Sequence, residues 1–158
     1  MKVTLLFIGK TTNQQLDALI QDYNHRISHY LGFEMRVIPE LKSAKNLSVN
    51  QQKEKEGGLV LQQIQPGDFL ILLDERGKEY RSVEFADFLS RQCSLSYKRI
   101  VFLIGGPYGF SQEVYDRSNA MLSLSRMTFS HQMVRLLFIE QLYRALTIQN
   151  NEPYHHEG

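Results

Sequence analysis

Apolar positions in this chain fall into short unbroken runs separated by longer stretches with a helical period. Lys2–Ile8, residues 69–73 and Arg99–Ile104 are almost wholly apolar over five to seven positions, which predicts strands buried on both faces. Residues 33–38 alternate and stop at Pro39, so they read as a further strand. Residues 13–30 place Leu16, Leu19, Ile20, Tyr23 and Ile27 on one helical face. A polar loop is expected over 41–50. A second helix follows over 48–64, with Ser48 as its cap and Gly57-Gly58 weakening its middle. Pro66-Gly67-Asp68 and Arg76-Gly77-Lys78 read as turns on either side of the 69–73 strand. Ser82–Cys93 reads as a helix capped by Ser82, with Phe85, Ala86, Phe88 and Leu89 inward. A short helix over 111–119, a short strand over 120–124 and a long helix over 132–150 complete the pattern.

Strand and helix alternate throughout, which predicts an α/β fold with a mainly parallel sheet and helices on both faces. Ligands in such sheets bind outside the carboxyl ends of strands. Leu73-Asp74 and Gly105-Gly106 stand at two of those ends and mark the expected pocket. The last helix is apolar around nearly its whole circumference, so it must be covered on all sides. In a chain of 158 residues this predicts covering by a second subunit. A length of 158 residues fits one domain, residues 1–158.

Composition narrows the chemistry. Charged residues make up 22% and the net charge is +1, which argues against a dedicated duplex-DNA binder. RNA remains open, because a local patch suffices and a dimer pools two. Lys42, Lys45, Lys53 and Lys55 form the densest basic cluster, interrupted by Glu54 and Glu56, and read first as a solvated face. Cys93 is the single cysteine, so the chain has no internal disulfide and no zinc-ligand spacing; it reads as a small helix hydrophobe. The apolar start is too short for a signal peptide or a membrane span, which gives a cytoplasmic expectation with no membrane partner.

The run Ile104-Gly105-Gly106-Pro107-Tyr108-Gly109 has neither the dinucleotide-fingerprint spacing nor a following Gly-Lys-Ser/Thr. It reads as a tight turn that needs positive φ at Gly106 or Gly109, or as a ligand loop. Glu140 and Arg144 are four residues apart with favourable polarity, so a structural pair and a phosphate-neutralising arginine weigh about equally. Pro153 stiffens a segment that carries Tyr154, His155 and His156, where Tyr154 is suited to stacking on a base.

LIGGPYGFS, then LSLSRMTFSHQMVRLLFIEQLYRAL, then NNEPYHHE resemble the RlmH family of SPOUT-class ribosomal RNA methyltransferases. The likeness extends to KVTLLFIGK and LLDERGKEYRS and so covers essentially the whole chain. It implies an α/β sheet with a C-terminal trefoil knot, a homodimer, and methylation of N3 of a pseudouridine in large-subunit RNA within a ribosome or large subunit. It implies S-adenosylmethionine as cofactor, no metal, and a cofactor pocket on Leu73, Gly105 and the loop Leu124, Ser125, Arg126, Met127, Thr128 and Phe129. By the same resemblance His155 orients the base or relays its proton, Tyr154 holds the base, and Arg144 stabilises charge on the imide. Two positions depart from the family pattern: Ser130-His131 replaces Pro-His, and His156 replaces a permanent cation with a titratable one. The other function classes consistent with this fold are a nucleotide-binding module and a non-catalytic ribosome-associated dimer.

Overall fold

The computed structural model describes residues 1–42 and 44–157. Ser43, within the expected polar loop, and Gly158 lie outside the described residues. Five strands form the sheet: β1 (Lys2–Ile8), β2 (Gly32–Ile38), β3 (Asp68–Glu79), β4 (Arg99–Ile104) and β5 (Ala120–Ser123). Their order is β2-β1-β4-β3-β5, and every pairing is parallel. The helices are α1 (Gln14–Ile27), α2 (Val49–Gln62), α3 (Ser82–Cys93), α4 (Gln112–Arg117) and α5 (Met133–Gln149). One turn of 3-10 helix, Ala44–Asn46, occupies part of the loop expected to be irregular.

Side chains alternate across the sheet and so feed two cores. Leu5, Phe7, Ile71 and Phe102 pack with Ile20, Phe85, Phe138 and Leu142 of α1, α3 and α5. Leu6, Leu70, Leu72, Val101 and Leu103 pack on the opposite face with Val60 of α2 and Val114 of α4. The strand starts are closed by charge. Asp68 lies opposite Arg99 in register and accepts from its Nε at 3.0 Å and its Nη2 at 2.6 Å. Burial opposes the Asp68 charge, yet the Arg99 bonds and the Gln65 N–H hold its carboxyl below the ordinary range.

Strands β1 and β4 and helix α3 have the bounds that the apolar runs predict. Elsewhere the structure corrects the sequence. Leu19 was expected inward on α1 but is 49% exposed. Helix α1 stops at Ile27, and Tyr30 turns to donate to Glu152, which pushes its phenol up to about 12. Arg81, not Ser82, caps α3: its N–H donates to Glu84, while the Ser82 hydroxyl donates to Gln141. The predicted turn at 76–78 is strand, because β3 runs on to Glu79.

Helix α5 is not enclosed on all sides within one chain. Phe138, Ile139, Leu142 and Leu146 are buried, but Leu136 and Leu137 are only half-buried and Met133 is exposed. Arg135 is 1% exposed and has no carboxylate within ion-pair reach among the described residues. Its guanidinium donates to the Ile8 carbonyl and Thr11 Oγ1 at 2.9 Å and to the His131 carbonyl at 3.1 Å, and it stacks over Phe7 at 4.1 Å. It fastens the end of β1 to the start of α5.

Candidate active site

The carboxyl ends of β3, β4 and β5 are level. Leu73 is in register with Ile104 on one side and Leu122 on the other. These three side chains floor a cavity of about 900 Å³, a size suited to a nucleoside-sized ligand. Three segments wall it: the extension of β3, the turn after β4, and the segment after β5.

The β3 extension arises from an interruption in pairing. Leu73 and Lys78 both pair with Leu122, so residues 74–77 bulge out of the ladder over the cavity. Gly77 permits it, since a Cβ there would lie 2.7 Å from the backbone of Met121 and Leu122. The bulge carries Asp74, whose side chain is 9% exposed. Asp74 Oδ2 accepts from the Tyr115 hydroxyl of α4 at 2.5 Å, and Oδ1 accepts the Arg76 N–H at 2.8 Å. The Arg76 guanidinium also reaches both Asp74 and Tyr115. Burial opposes ionisation of Asp74, but Arg76 and Tyr115 hold its carboxyl below the ordinary range. Burial and the adjacent Asp74 push the Tyr115 phenol up.

The second wall is a hydrogen-bonded turn in which the Gly109 N–H donates to the Gly106 carbonyl at 3.2 Å. Positive φ falls on Gly109, at 85°, and not on Gly106. The third wall is pinned by its own hydroxyls. Ser123 Oγ donates to the Ser125 carbonyl, Ser125 Oγ accepts the Met127 N–H, and Thr128 Oγ1 donates to Glu75 across the mouth, each at 2.9 Å.

Leu73, Gly105, Leu124, Ser125, Met127, Thr128 and Phe129 therefore all line this cavity. Arg126 does not; it points to solvent and pairs with Glu79 at 3.2 Å. Met127 is 76% exposed and forms the rim rather than a closed apolar wall. The departure from the family pattern in this loop, Ser130, is at the cavity as well, beside His131, and Ser130 Oγ accepts the Met133 N–H at the start of α5. The Asp74–Arg76–Tyr115 clamp has no signal of its own in the sequence, since Arg76-Gly77-Lys78 has the composition of a turn.

Arg144, Tyr154 and His155 converge elsewhere, around Glu140. Glu140 Oε1 accepts from Arg144 Nη2 at 2.5 Å and from the Tyr154 hydroxyl at 3.0 Å. The Tyr154 and Tyr23 hydroxyls lie 3.1 Å apart. His155 Nδ1 is 3.0 Å from Arg144 Nη1, and its Nε2 is 2.8 Å from Glu157, which also pairs with Arg81. Burial, then Tyr23 and Glu140, push the Tyr154 phenol up. Its ring is engaged too, with Tyr143 edge-on at 4.8 Å and the Arg144 guanidinium over it. Burial works against the Arg144 charge, but the Glu140 pair holds its guanidinium above the ordinary value. The structural pairing of Glu140 with Arg144 is thus formed.

None of these three side chains lines the 900 Å³ cavity. Glu140 and Tyr23 instead border a second cavity of about 610 Å³ between α1, α3 and α5. The two cavities share Leu122, Leu124 and Phe129, so the segment after β5 is the partition between them. Cys93 takes no part in either, and burial pushes its thiol up. No metal-ligating cluster and no helix long and apolar enough to cross a membrane is found among the described residues.

Comparison with known proteins gives one consistent result. The family model described as "Predicted SPOUT methyltransferase" matches residues 1–155. The chain is 58% identical over 157 residues to ribosomal RNA large subunit methyltransferase H of Phocaeicola vulgatus, covering 99% of this chain and 100% of that protein. It is 56% identical to the protein of that name from Flavobacterium psychrophilum with the same coverage. The counterpart from Christiangramia forsetii is 55% identical over 156 residues, 99% of each chain. Among solved structures, a probable methylase family protein from Haemophilus influenzae superposes with a TM-score of 0.51 over 99% of this chain and 70% of that one. At 12% identity that likeness concerns the fold alone.

Proposed function

The chain belongs to the SPOUT methyltransferase family, and on that premise we propose that it methylates large-subunit ribosomal RNA using S-adenosylmethionine, at N3 of a pseudouridine. The observation that carries this reading is the main-chain-rich cavity at the ends of β3, β4 and β5. Its chemistry fits the cofactor. Leu73, Ile104 and Leu122 offer a flat apolar floor to an adenine, and the glycine turn brings main-chain groups close to the ligand. Ser125 and the peptide groups of 124–129 supply polar partners for the ribose and the amino-acid end. When bound, the cofactor supplies an electrophilic methyl group on a positively charged sulfur.

The chain's own residues then have three tasks. The cavity walls fix the methyl donor, and positioning accounts for much of the rate. His155 takes up or relays the N3 proton, with its ring held between Arg144 and Glu157. Arg144 faces the negative charge that develops on the imide, and Tyr154 holds the base. A homodimer belongs to the same reading. The tail cluster stands apart from the cofactor cavity of its own chain, and a second copy would cover the half-open strip of α5 at Leu136 and Leu137. The reading also includes the C-terminal trefoil knot, a single domain over residues 1–158, and work in the cytoplasm on an assembled ribosome or large subunit.

The test is transfer of a labelled methyl group to large subunits lacking the modification, with mass mapping of the product. Methylated pseudouridine in large-subunit RNA is the expected result. Cofactor binding without transfer would move the substrate elsewhere. Absence of both would leave a non-catalytic dimer.

A further inference from the structure

The bonds around His155 determine which nitrogen of its ring carries the hydrogen. The side chain is 14% exposed, and both nitrogens are engaged. Nδ1 lies 3.0 Å from Arg144 Nη1, and Nε2 lies 2.8 Å from Glu157 Oε1. A guanidinium only donates, so Nδ1 accepts and bears the lone pair. An ionised carboxylate only accepts, so Nε2 bears the hydrogen. Both partners are in the required charge state. Burial works against the Arg144 charge, but the Glu140 pair outweighs it. The His155 bond, then the Arg81 charge, hold the Glu157 carboxyl below the ordinary range against the pull of burial.

Glu157 is itself tied down. Its Oε2 accepts from Arg81 Nη2, and Arg81 is the residue that caps α3. The two sides of the ring are therefore held by different elements, Nδ1 through α5 and Nε2 through α3. The charged and titratable groups that meet the ring or its partners are Arg144 and Glu140 of α5, Tyr23 of α1, Arg81 before α3, and Tyr154 and Glu157 of the tail. Arg144 Nε is buried without a partner, which leaves that side chain a donor to spare.

We propose that Glu157 is a positioning residue for the proton transfer: anchored by Arg81, it holds the His155 Nε2–H and leaves Nδ1 as the nitrogen that takes the N3 proton. The inference rests on the proposed role of His155. The N3 proton moves to Nδ1 in exchange for the Arg144 bond, and the N3 electron pair stays on the base for the incoming methyl group. The ring becomes an imidazolium, and Glu157 stays ionised beside it and stabilises its charge. Arg144, released from Nδ1, turns to the imide.

Nitrogen NMR of the full chain with the ring neutral tests the ground state. The His155 Nδ1 should be bare and the Nε2 protonated, and a hydrogen on Nδ1 overturns the proposal. Kinetics test the role. Glu157→Ala should unfold at the parental temperature and bind S-adenosylmethionine within about twofold of the parent, while saturated kcat falls roughly tenfold. In a His155→Ala background the same substitution should cost nothing further, because the two residues act as one unit. A parental kcat in Glu157→Ala, or a full tenfold loss added to that of His155→Ala, overturns the assignment. Glu157→Gln keeps an acceptor for Nε2–H but no charge. Its imidazolium is less stabilised, so the acid limb of its pH–rate profile should move to lower pH with a lower plateau; an unmoved limb at a parental plateau refutes the role. Full turnover in His155→Ala brings down the histidine reading and this inference with it. A large loss there beside a parental Glu157→Ala brings down only the Glu157 assignment.

Discussion

The cavity at the strand ends, the proposed cofactor site, and the tail cluster are built from opposite materials. The cavity is made of strand ends and main chain: a level row of Leu73, Ile104 and Leu122, a bulge allowed by Gly77, and a turn with positive φ at Gly109. The cluster around Glu140 is made of long side chains holding each other by hydroxyl, guanidinium and imidazole contacts. A site of the first kind tolerates side-chain exchange and fails when the backbone is obstructed. A site of the second kind keeps its fold and loses its chemistry when one side chain goes. In the proposed reaction the first holds a donor that must not shift, and the second moves a proton.

The hardest test of that division is at the tail. His155→Ala should lower methyl transfer by roughly 10²–10⁴-fold with cofactor and ribosomal substrate saturating, while calorimetric affinity for S-adenosylmethionine stays within about twofold. Removing residues 153–158 should abolish transfer and leave binding largely intact. Full turnover in His155→Ala removes the histidine from the chemistry, and joint loss of binding in the truncation makes the tail structural.

The cavity should respond in reverse. Gly77→Val sets a side chain against the backbone of Met121 and Leu122 and should cost about 3 kcal/mol in denaturant unfolding, with cofactor affinity falling alongside. Stability equal to the parent's would mean that the bulge relaxes freely.

Asp74→Asn should cost about 2 kcal/mol through the Tyr115 and Arg76 bonds. Here the sign of the pH effect is fixed. The folded carboxyl lies below its unfolded value of about 3.9, so the Asp74 contribution is complete above that value. It is lost as pH falls through the lower folded value. The stability gap between parent and Asp74→Asn should thus close in acid, and a gap that widened there would refute the clamp. Ser125→Ala should have the smallest effect, about 1 kcal/mol or severalfold in cofactor affinity, because it frees only the Met127 N–H. A loss as large as that of Gly77→Val would show that the 124–129 segment depends on its side chains after all.

Most of the sheet was readable because a strand buried on both faces has no alternative pattern; β1 and β4 begin and end where their apolar runs do. The β3 extension was not, because Asp74 to Lys78 is polar and its strand character comes from a neighbour 44 residues on, at Leu122. Leu19 fits an inward helical face by period alone, yet it borders the second cavity, where none of the described residues covers it fully. The place of the 124–129 segment beside the strand ends was legible through motif order, not through composition. Arg126 shows the limit of that reading, since a motif gives a place in the loop but not the direction of a side chain. What no local pattern holds is the separation of the tail cluster from the cavity, because it depends on how α5 lies across the molecule.

The Arg135 clasp bears on when this protein takes shape. Its bond to the Ile8 carbonyl joins residues 127 positions apart. Contacts that distant are slow to close, since most of the intervening chain must be ordered first. During synthesis at about 5–20 residues per second, β1 therefore waits roughly ten seconds with its end unfastened. The stretch that follows β1 is fastened only after the final helix has been made, through Arg135 to Ile8 and Thr11 and through Gln132 to Lys10 and Thr12, so nascent chains should be protease-sensitive at residues 9–12 until α5 emerges.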